Sequence, residues 1–196
     1  MRIIKEDVTK IDLSYLVDNI TREEHKKLIM SPPGKEHYKL LTYLTRQLNN
    51  AIIVELGTHN GTSSLCLCDN ILNKVITFDV RDVYSVKKQP INLTRQVGNI
   101  FEMDPSILLK SDLIFLDTAH NGDFEKEIYL YLLNNEYKGI LLLDDIFFND
   151  EMVQFWNFIN IKKYDISSIG HGGKHPSPSG LCGTGLVDFS NTIEIV

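Results

Sequence analysis

AIIVELGTHNGTSS, residues 51–64, passes from an apolar run into a glycine loop and then into small polar residues. The run 51–56 is almost unbroken, as expected of a strand buried on both faces. Gly57 at its end lets the backbone turn tightly and approach a ligand closely. The stretch 62–69 reads as a helix whose first turn offers free N–H groups and the positive end of its dipole. Strand, glycine loop and helix in that order open an α/β sheet, and such sheets bind ligands in the crevice beyond the strand ends.

The same rhythm continues on both sides. VITFDV (75–80), DLIFLD (112–117) and GILLLDDI (139–146) are further apolar runs, with helical patterns at 124–133 and 151–159. This alternation predicts a parallel sheet with helices on both faces. Val97-Gly98-Asn99-Ile100 ends a weaker strand, because residues 83–96 have little periodicity. YDISSI (164–169) and TGLVDF (184–189) are joined by a Gly/Pro/Ser loop without a helix, which predicts an antiparallel hairpin at one sheet edge. Upstream, Leu40, Leu41, Leu44 and Leu48 recur at helical spacing over 35–48. Residues 1–33 form an expected N-terminal segment, helical in pieces, ahead of a single domain over 34–196. In it Thr21-Arg22-Glu23-Glu24 reads as a capping box, and Ser31-Pro32-Pro33-Gly34 ends the helix that follows.

The chain has 196 residues and a formal net charge of −6, with 43% hydrophobic and 23% charged residues. That length suits one domain with a substantial core. No lysine/arginine stripe is present to neutralise a phosphate backbone, so no nucleic-acid partner is expected. Cys66, Cys68 and Cys182 show no metal spacing and read as buried small hydrophobes in a reducing compartment. No apolar run reaches about 18 residues, and MRIIKEDVTK lacks the apolar core of a signal peptide. A cytoplasmic protein without a membrane partner is expected.

The glycines of the loop are spaced G-x-x-x-G, with Glu55 two positions before the first. A dinucleotide site would want G-x-G-x-x-G, and a nucleoside triphosphate would want a following G-K-[ST]. Asp79, about 20 residues further at the end of the next strand, is placed to accept both hydroxyls of a ribose. The segment resembles motif I of the class I S-adenosylmethionine (SAM)-dependent methyltransferases, E/D-x-G-x-x-x-G-x-S. The resemblance implies a Rossmann-like, mostly parallel seven-stranded sheet with an antiparallel C-terminal hairpin, and SAM as cofactor. It implies Glu55 at the amino-acid end of SAM, with Gly57, Thr58, Gly61, Thr62 and Ser63 making room for its backbone. Asp79 would hold the ribose, Gly98, Asn99 and Ile100 the adenine, and Asp117 would close the site.

Asp117 ends one strand and Asp144-Asp145 the next, so the parallel sheet brings three carboxylates to the side of the glycine loop. They would repel one another unless something cationic lay between them. Oxygen donors suit Mg²⁺, Mn²⁺ or Ca²⁺. Adjacent strand residues face opposite ways, so Asp144 and Asp145 can share an ion only where the chain is already turning. LDTAH paired with LLLDD is similar to the divalent-metal-dependent O-methyltransferases of the catechol and caffeoyl-CoA type, and more so to their relatives acting on sugars and macrolides. This implies Mg²⁺ or Mn²⁺ on Asp117, Asp144 and Asp145. The catechol type has asparagine where Asp145 stands, so this site would be one charge more negative.

That type also carries a lysine base three residues after the first aspartate, where this chain has His120. A histidine of unperturbed pKa, roughly 6.5, is neutral at pH 7 and able to accept a proton, which makes His120 and Asp117 the expected catalytic pair. His37, before the first long strand, and His171, sharing the loop 170–183 with His175, are expected at the acceptor pocket. The expected activity is SAM-dependent methylation of one hydroxyl of a vicinal diol. A sugar or glycan is preferred, since no tryptophan/methionine cluster marks an aromatic clamp and GKEHYKLL and GTGLV resemble the glycan and macrolide type. A metal-independent methyltransferase of another small molecule and a non-catalytic SAM-binding module are the alternatives. A homodimer is left open.

Overall fold

A computed structural model describes residues 1–174 and 180–196. His175 lies outside the described residues. In chain order the elements are β1 (Arg2–Ile3), α1 (Lys5–Lys10), a 3₁₀ turn (Ser14–Asn19), α2 (Glu23–Ile29), α3 (Tyr38–Gln47), β2 (Ile52–Leu56), α4 (Thr62–Leu67), β3 (Lys74–Asp79) and β4 (Leu93–Val97). There follow α5 (Ile100–Met103), α6 (Ser106–Leu109), β5 (Leu113–Leu116), α7 (Asp123–Asn134), β6 (Ile140–Leu143), α8 (Asp150–Phe158), β7 (Lys163–Asp165), β8 (Gly185–Asp188) and β9 (Glu194–Ile195).

The main sheet has seven strands in the order β4-β3-β2-β5-β6-β8-β7. Pairings from β4 through β6 are parallel, and β8 runs antiparallel to both β6 and β7. The expected Rossmann-like sheet with a C-terminal hairpin is therefore present. Its unbroken apolar strands have a simple cause. Alternate residues point to opposite faces, and both faces are covered. Ile53, Val75, Leu113, Phe115 and Leu142 pack with Leu40, Leu41 and Leu44 of α3 and Leu65 of α4. Val54, Ile76, Ile114, Leu116 and Leu141 pack with Ile128 and Leu132 of α7 and with Phe155 and Trp156 of α8.

The N-terminal segment is built into this core. Ile3, Val8, Leu13, Ile20 and Ile29 join the cluster under α3 and α4, and β1 pairs in parallel with β9 near the other end of the chain. The capping box expected at Thr21–Glu24 is absent. Arg22 occupies the N-cap of α2 without a side-chain cap, and the Thr21 hydroxyl instead bonds Ser85 Oγ at 3.1 Å. A long-range partner has displaced the local one. Cys66, Cys68 and Cys182 are buried free thiols, as expected. Among the described residues no helix is long and apolar enough to cross a membrane.

Candidate functional site

The strand order reverses direction between β2 and β5, and the crevice beyond their ends is the topological switch point where open α/β sheets bind ligands. The two strands end close together. Asp117 N–H donates to the Leu56 carbonyl at 2.9 Å, and a Cβ on Gly57 would stand 1.6 Å from the Asp117 carbonyl oxygen. Gly57 also has φ +101°, so both the approach and the turn require a glycine.

From this point a cleft of about 480 Å³ opens between Leu56, Gly57, Phe78, Asp79, Gly98, Ile100, Asp117 and Phe124. That volume falls in the range of small-ligand sites. Six of the expected residues line it: Gly57, Asp79, Gly98, Asn99, Ile100 and Asp117. Asp79 is held rigidly, its two carboxylate oxygens accepting the backbone N–H of His59 at 2.7 Å and of Arg81 at 2.9 Å. Asn99 caps α5 by accepting the Phe101 N–H at 3.0 Å. Apolar walls with one fixed carboxylate at the rim suit a flat apolar ligand that carries a diol.

Glu55, Thr58, Gly61, Thr62 and Ser63 lie behind the loop, outside the lining of this cleft. Thr58 and Thr77 hydroxyls pair at 2.5 Å, and Thr62 bonds Asn60 through both N–H and hydroxyl. The room beside Gly61 is filled from within, because a Cβ there would lie 2.3 Å from the Tyr84 ring. Glu55 is fully buried and accepts a hydrogen bond from the Ser64 hydroxyl. Burial pushes its carboxyl up to about 7, against hydrogen bonds from Ser63, Ser64 and Thr77 that oppose the rise.

That rise has a consequence for stability. A carboxyl whose pKa is higher folded than unfolded contributes fully below its unfolded value and loses that contribution as pH climbs towards the folded one. From the ordinary 4.5 to about 7, the loss amounts to about 3 kcal/mol. Glu55→Gln is therefore expected to raise the urea midpoint at pH 8 and to leave it nearly unchanged at pH 4. A midpoint difference that does not change with pH would contradict this account.

Beyond Asp117 the cleft gives way to a cluster of carboxylates and imidazoles. β6 ends at Leu143, and Asp145 adopts φ +53°. This left-handed turn brings both Asp144 and Asp145 to one centre, which a continuing strand could not do. His37 Nδ1 lies 3.5 Å from Asp144 Oδ1, and His171 Nδ1 lies 3.8 Å from Asp144 Oδ1 and 3.7 Å from Asp145 Oδ1. On the other side His120 Nε2 stands 3.4 Å from Asp117 Oδ1 and 3.7 Å from Asp145 Oδ2. His37 and His171 are the residues expected at the acceptor pocket. The structure sets them against the aspartates.

His37 is held by the start of α3 against Phe115. His171 is brought in by its loop, which bonds the Gly34 segment through Gly34 N–H to the Gly170 carbonyl at 2.7 Å. His120 also has a left-handed backbone, φ +52°. Its N–H donates to Glu125 Oε1 at 3.1 Å and its carbonyl accepts from Asn149 Nδ2 at 2.8 Å. The buried Glu125 further accepts from the Thr118 hydroxyl and the Gly122 N–H, so it positions the whole turn after β5. Sequence reasoning missed Glu125, although a glutamate in the first turn of a helix is a capping signature.

The expectation of an ordinary, neutral His120 is corrected here. Burial alone would lower its pKa, but Asp117, with Asp145 and Asp144, outweighs burial and holds it up to about 9. In the same way His37 and His171 outweigh burial at Asp144 and hold its carboxyl far below the usual range. The three carboxylates foreseen to repel one another are matched by three imidazoles. Asp117 and His37 also offer ligand atoms within 4.8 Å of one from Asp144.

No protein-family model and no curated protein matches the sequence. Solved structures do match. The O-methyltransferase TomG from Streptomyces achromogenes, in complex with SAM, superposes with a TM-score of 0.57 at 19% identity, over 92% of this chain and 91% of that one. Precorrin-6y C5,15-methyltransferase from Geobacter metallireducens gives 0.56 at 12% identity over 92% and 97%. Cofactor-bound Rv0187 from MTB gives 0.56 at 15% over 78% and 79%. With this sheet order and a cleft at its switch point, the chain has the Rossmann-like fold of the SAM-dependent methyltransferases.

Proposed function

We propose that this protein is a SAM-dependent O-methyltransferase acting on one hydroxyl of a vicinal diol, a sugar or glycan, with a divalent ion held by Asp117, Asp144 and Asp145. The observation that carries the reading is the double position of Asp117, which lines the cleft and faces the aspartate–histidine cluster. A nucleoside in the cleft and an acceptor at the cluster would meet at that residue.

The residues suit both groups. Phe78, Ile100 and Phe124 offer apolar walls for adenine, and Asp79 offers a carboxylate fixed for a ribose diol. SAM supplies an electrophilic methyl group, and a divalent ion supplies positive charge that orients hydroxyls and favours their deprotonation. Among the described residues, buried Asp144 Oδ1 and Asp145 Oδ1 have no hydrogen-bond partner, which leaves both available to a cation.

The rest falls to the chain's own side chains. Gly57 and Asp117 fix the gap between the two half-sites, and such positioning is worth up to about 7–11 kcal/mol in favourable cases. His120 presents Nε2 towards Asp117 and Asp145. With a dication held by those carboxylates, the field that keeps His120 protonated would be offset, and Nε2 would then be able to accept a proton from the acceptor hydroxyl.

The test is S-adenosylhomocysteine release from SAM, with Mn²⁺ or with EDTA, across a panel of glycosides and catechols. Turnover of a glycoside that EDTA abolishes is expected. Turnover indifferent to EDTA would remove the ion and keep the methyltransferase. SAM binding without turnover on any acceptor would favour a non-catalytic module.

A further inference from the structure

We infer that His37 and His171 are nitrogen ligands of a metal centre shared with Asp144 and Asp145, so that the site selects a transition-metal ion over Mg²⁺. The inference rests on the divalent ion proposed above, and it changes that ion's donor set from oxygen alone to mixed nitrogen and oxygen.

Four atoms carry it: His37 Nδ1, His171 Nδ1, Asp144 Oδ1 and Asp145 Oδ1. All four are buried, and among the described residues none has a hydrogen-bond partner. His37, Asp144 and Asp145 are each no more than 5% exposed. Buried atoms left unsatisfied are costly, and here the four are successive neighbours, His37 beside Asp144 and His171 beside both aspartates. Their separations are 3.5, 3.8 and 3.7 Å. A charged N–H···O⁻ bond would close to about 2.7–2.9 Å. Ligand atoms around an ion with bonds of about 2.1 Å sit roughly 3–3.5 Å apart, which is nearer to what is seen.

The surroundings hold these groups in place. The His37 ring packs on Phe115 and Tyr38, the His171 N–H donates to Thr184 Oγ1 at 2.6 Å, and the left-handed turn at Asp145 aims its carboxylate. Asp117, whose side chain is 31% exposed, stands on the side of the cleft, where open coordination positions would receive an acceptor. Mg²⁺ dehydrates reluctantly and takes oxygen ligands. Imidazole donors suit first-row transition ions, so two of them tilt the site away from Mg²⁺.

The full-length chain, stripped with EDTA, is loaded with Mn²⁺ and examined by pulsed EPR for nitrogen modulation. The expected result is ¹⁴N modulation that converts to the ¹⁵N pattern when histidine alone is ¹⁵N-labelled, which requires no substitution. In His171→Ala, Mn²⁺ affinity is expected to fall about tenfold or more, since even an outer-sphere partner is worth about 10–100-fold, while Mg²⁺ affinity stays within about twofold. Bound Mn²⁺ without nitrogen modulation would overturn the histidine ligands and leave the carboxylate site of the proposed function standing. No binding of Mn²⁺ at all would overturn the inference together with the ion, while SAM binding, measured separately, would still support the cleft.

Discussion

Gly57→Ala is expected to lower the stability of the protein by about 3–5 kcal/mol, a large share of the roughly 5–15 kcal/mol available to a folded chain. The new Cβ would stand 1.6 Å from the Asp117 carbonyl oxygen and 2.7 Å from its carbon. Neither is the tip of a flexible side chain. Relief requires β2 and β5 to part at their ends, where Asp117 N–H bonds the Leu56 carbonyl at 2.9 Å, and each such bond is worth about 0.5–1.5 kcal/mol. The φ of +101° adds about 1–2 kcal/mol for any residue with a Cβ. For a chain of this size, about 2–4 °C of melting temperature is lost per kcal/mol, so a fall of about 10 °C is expected in calorimetry. Gly180→Ala is the control. It shares a positive φ, +67°, but among the described residues a Cβ there meets nothing within 4 Å, so it should cost only the conformational part. Equal losses at the two positions would refute the steric argument.

The contrast between these glycines also shows what a sequence discloses and what it withholds. Gly57 is legible because it follows an apolar run and precedes a helix, and local pattern carries that information. The strands β2, β3, β5 and β6 are legible for the same reason, as each is buried on both faces. β4, LTRQV, is an edge strand with exposed Thr94 and Val97, so no periodicity announces it. The pairing of β1 with β9 joins Arg2 to Glu194 and Ile3 to Ile195; nothing local at either end predicts a partner so distant.

The site divides along the same line. Asp79, Asp117, Asp144 and Asp145 stand at or just past strand ends, and the topology of a parallel sheet brings those ends together. His37, inside GKEHYKLL, and His171 lie away from the strand ends. His37 reaches Asp144 from the start of α3, and His171 reaches it from the segment that follows β7. Glu55 followed the motif in sequence, yet strand alternation places it on the face of Ile53, under α4, where burial governs its chemistry.

His120→Asn is expected to lower kcat for methyl transfer by about 10²–10⁴, the usual worth of a positioned general base, with SAM affinity within about twofold of the parent. Asparagine is the informative replacement. It tolerates the left-handed φ of +52° better than alanine does, and the contacts with Glu125 and Asn149 use the backbone N–H and carbonyl of residue 120, which every amino acid retains. The turn after β5 should therefore survive and carry Asp117 in place. What is lost is the ring whose Nε2 faces Asp117 and Asp145. His120 is outside the lining of the cleft, whereas Thr118, Ala119 and Asn121 are within it, so a base and a binding residue separate cleanly in the kinetics. A fall in kcat at constant SAM affinity, measured by calorimetric titration and S-adenosylhomocysteine release, is what a base predicts. A kcat within about tenfold of the parent would move proton removal to another group, with the aspartates next in line. Loss of SAM affinity with kcat preserved at saturation would instead make residue 120 a strut of the cleft wall.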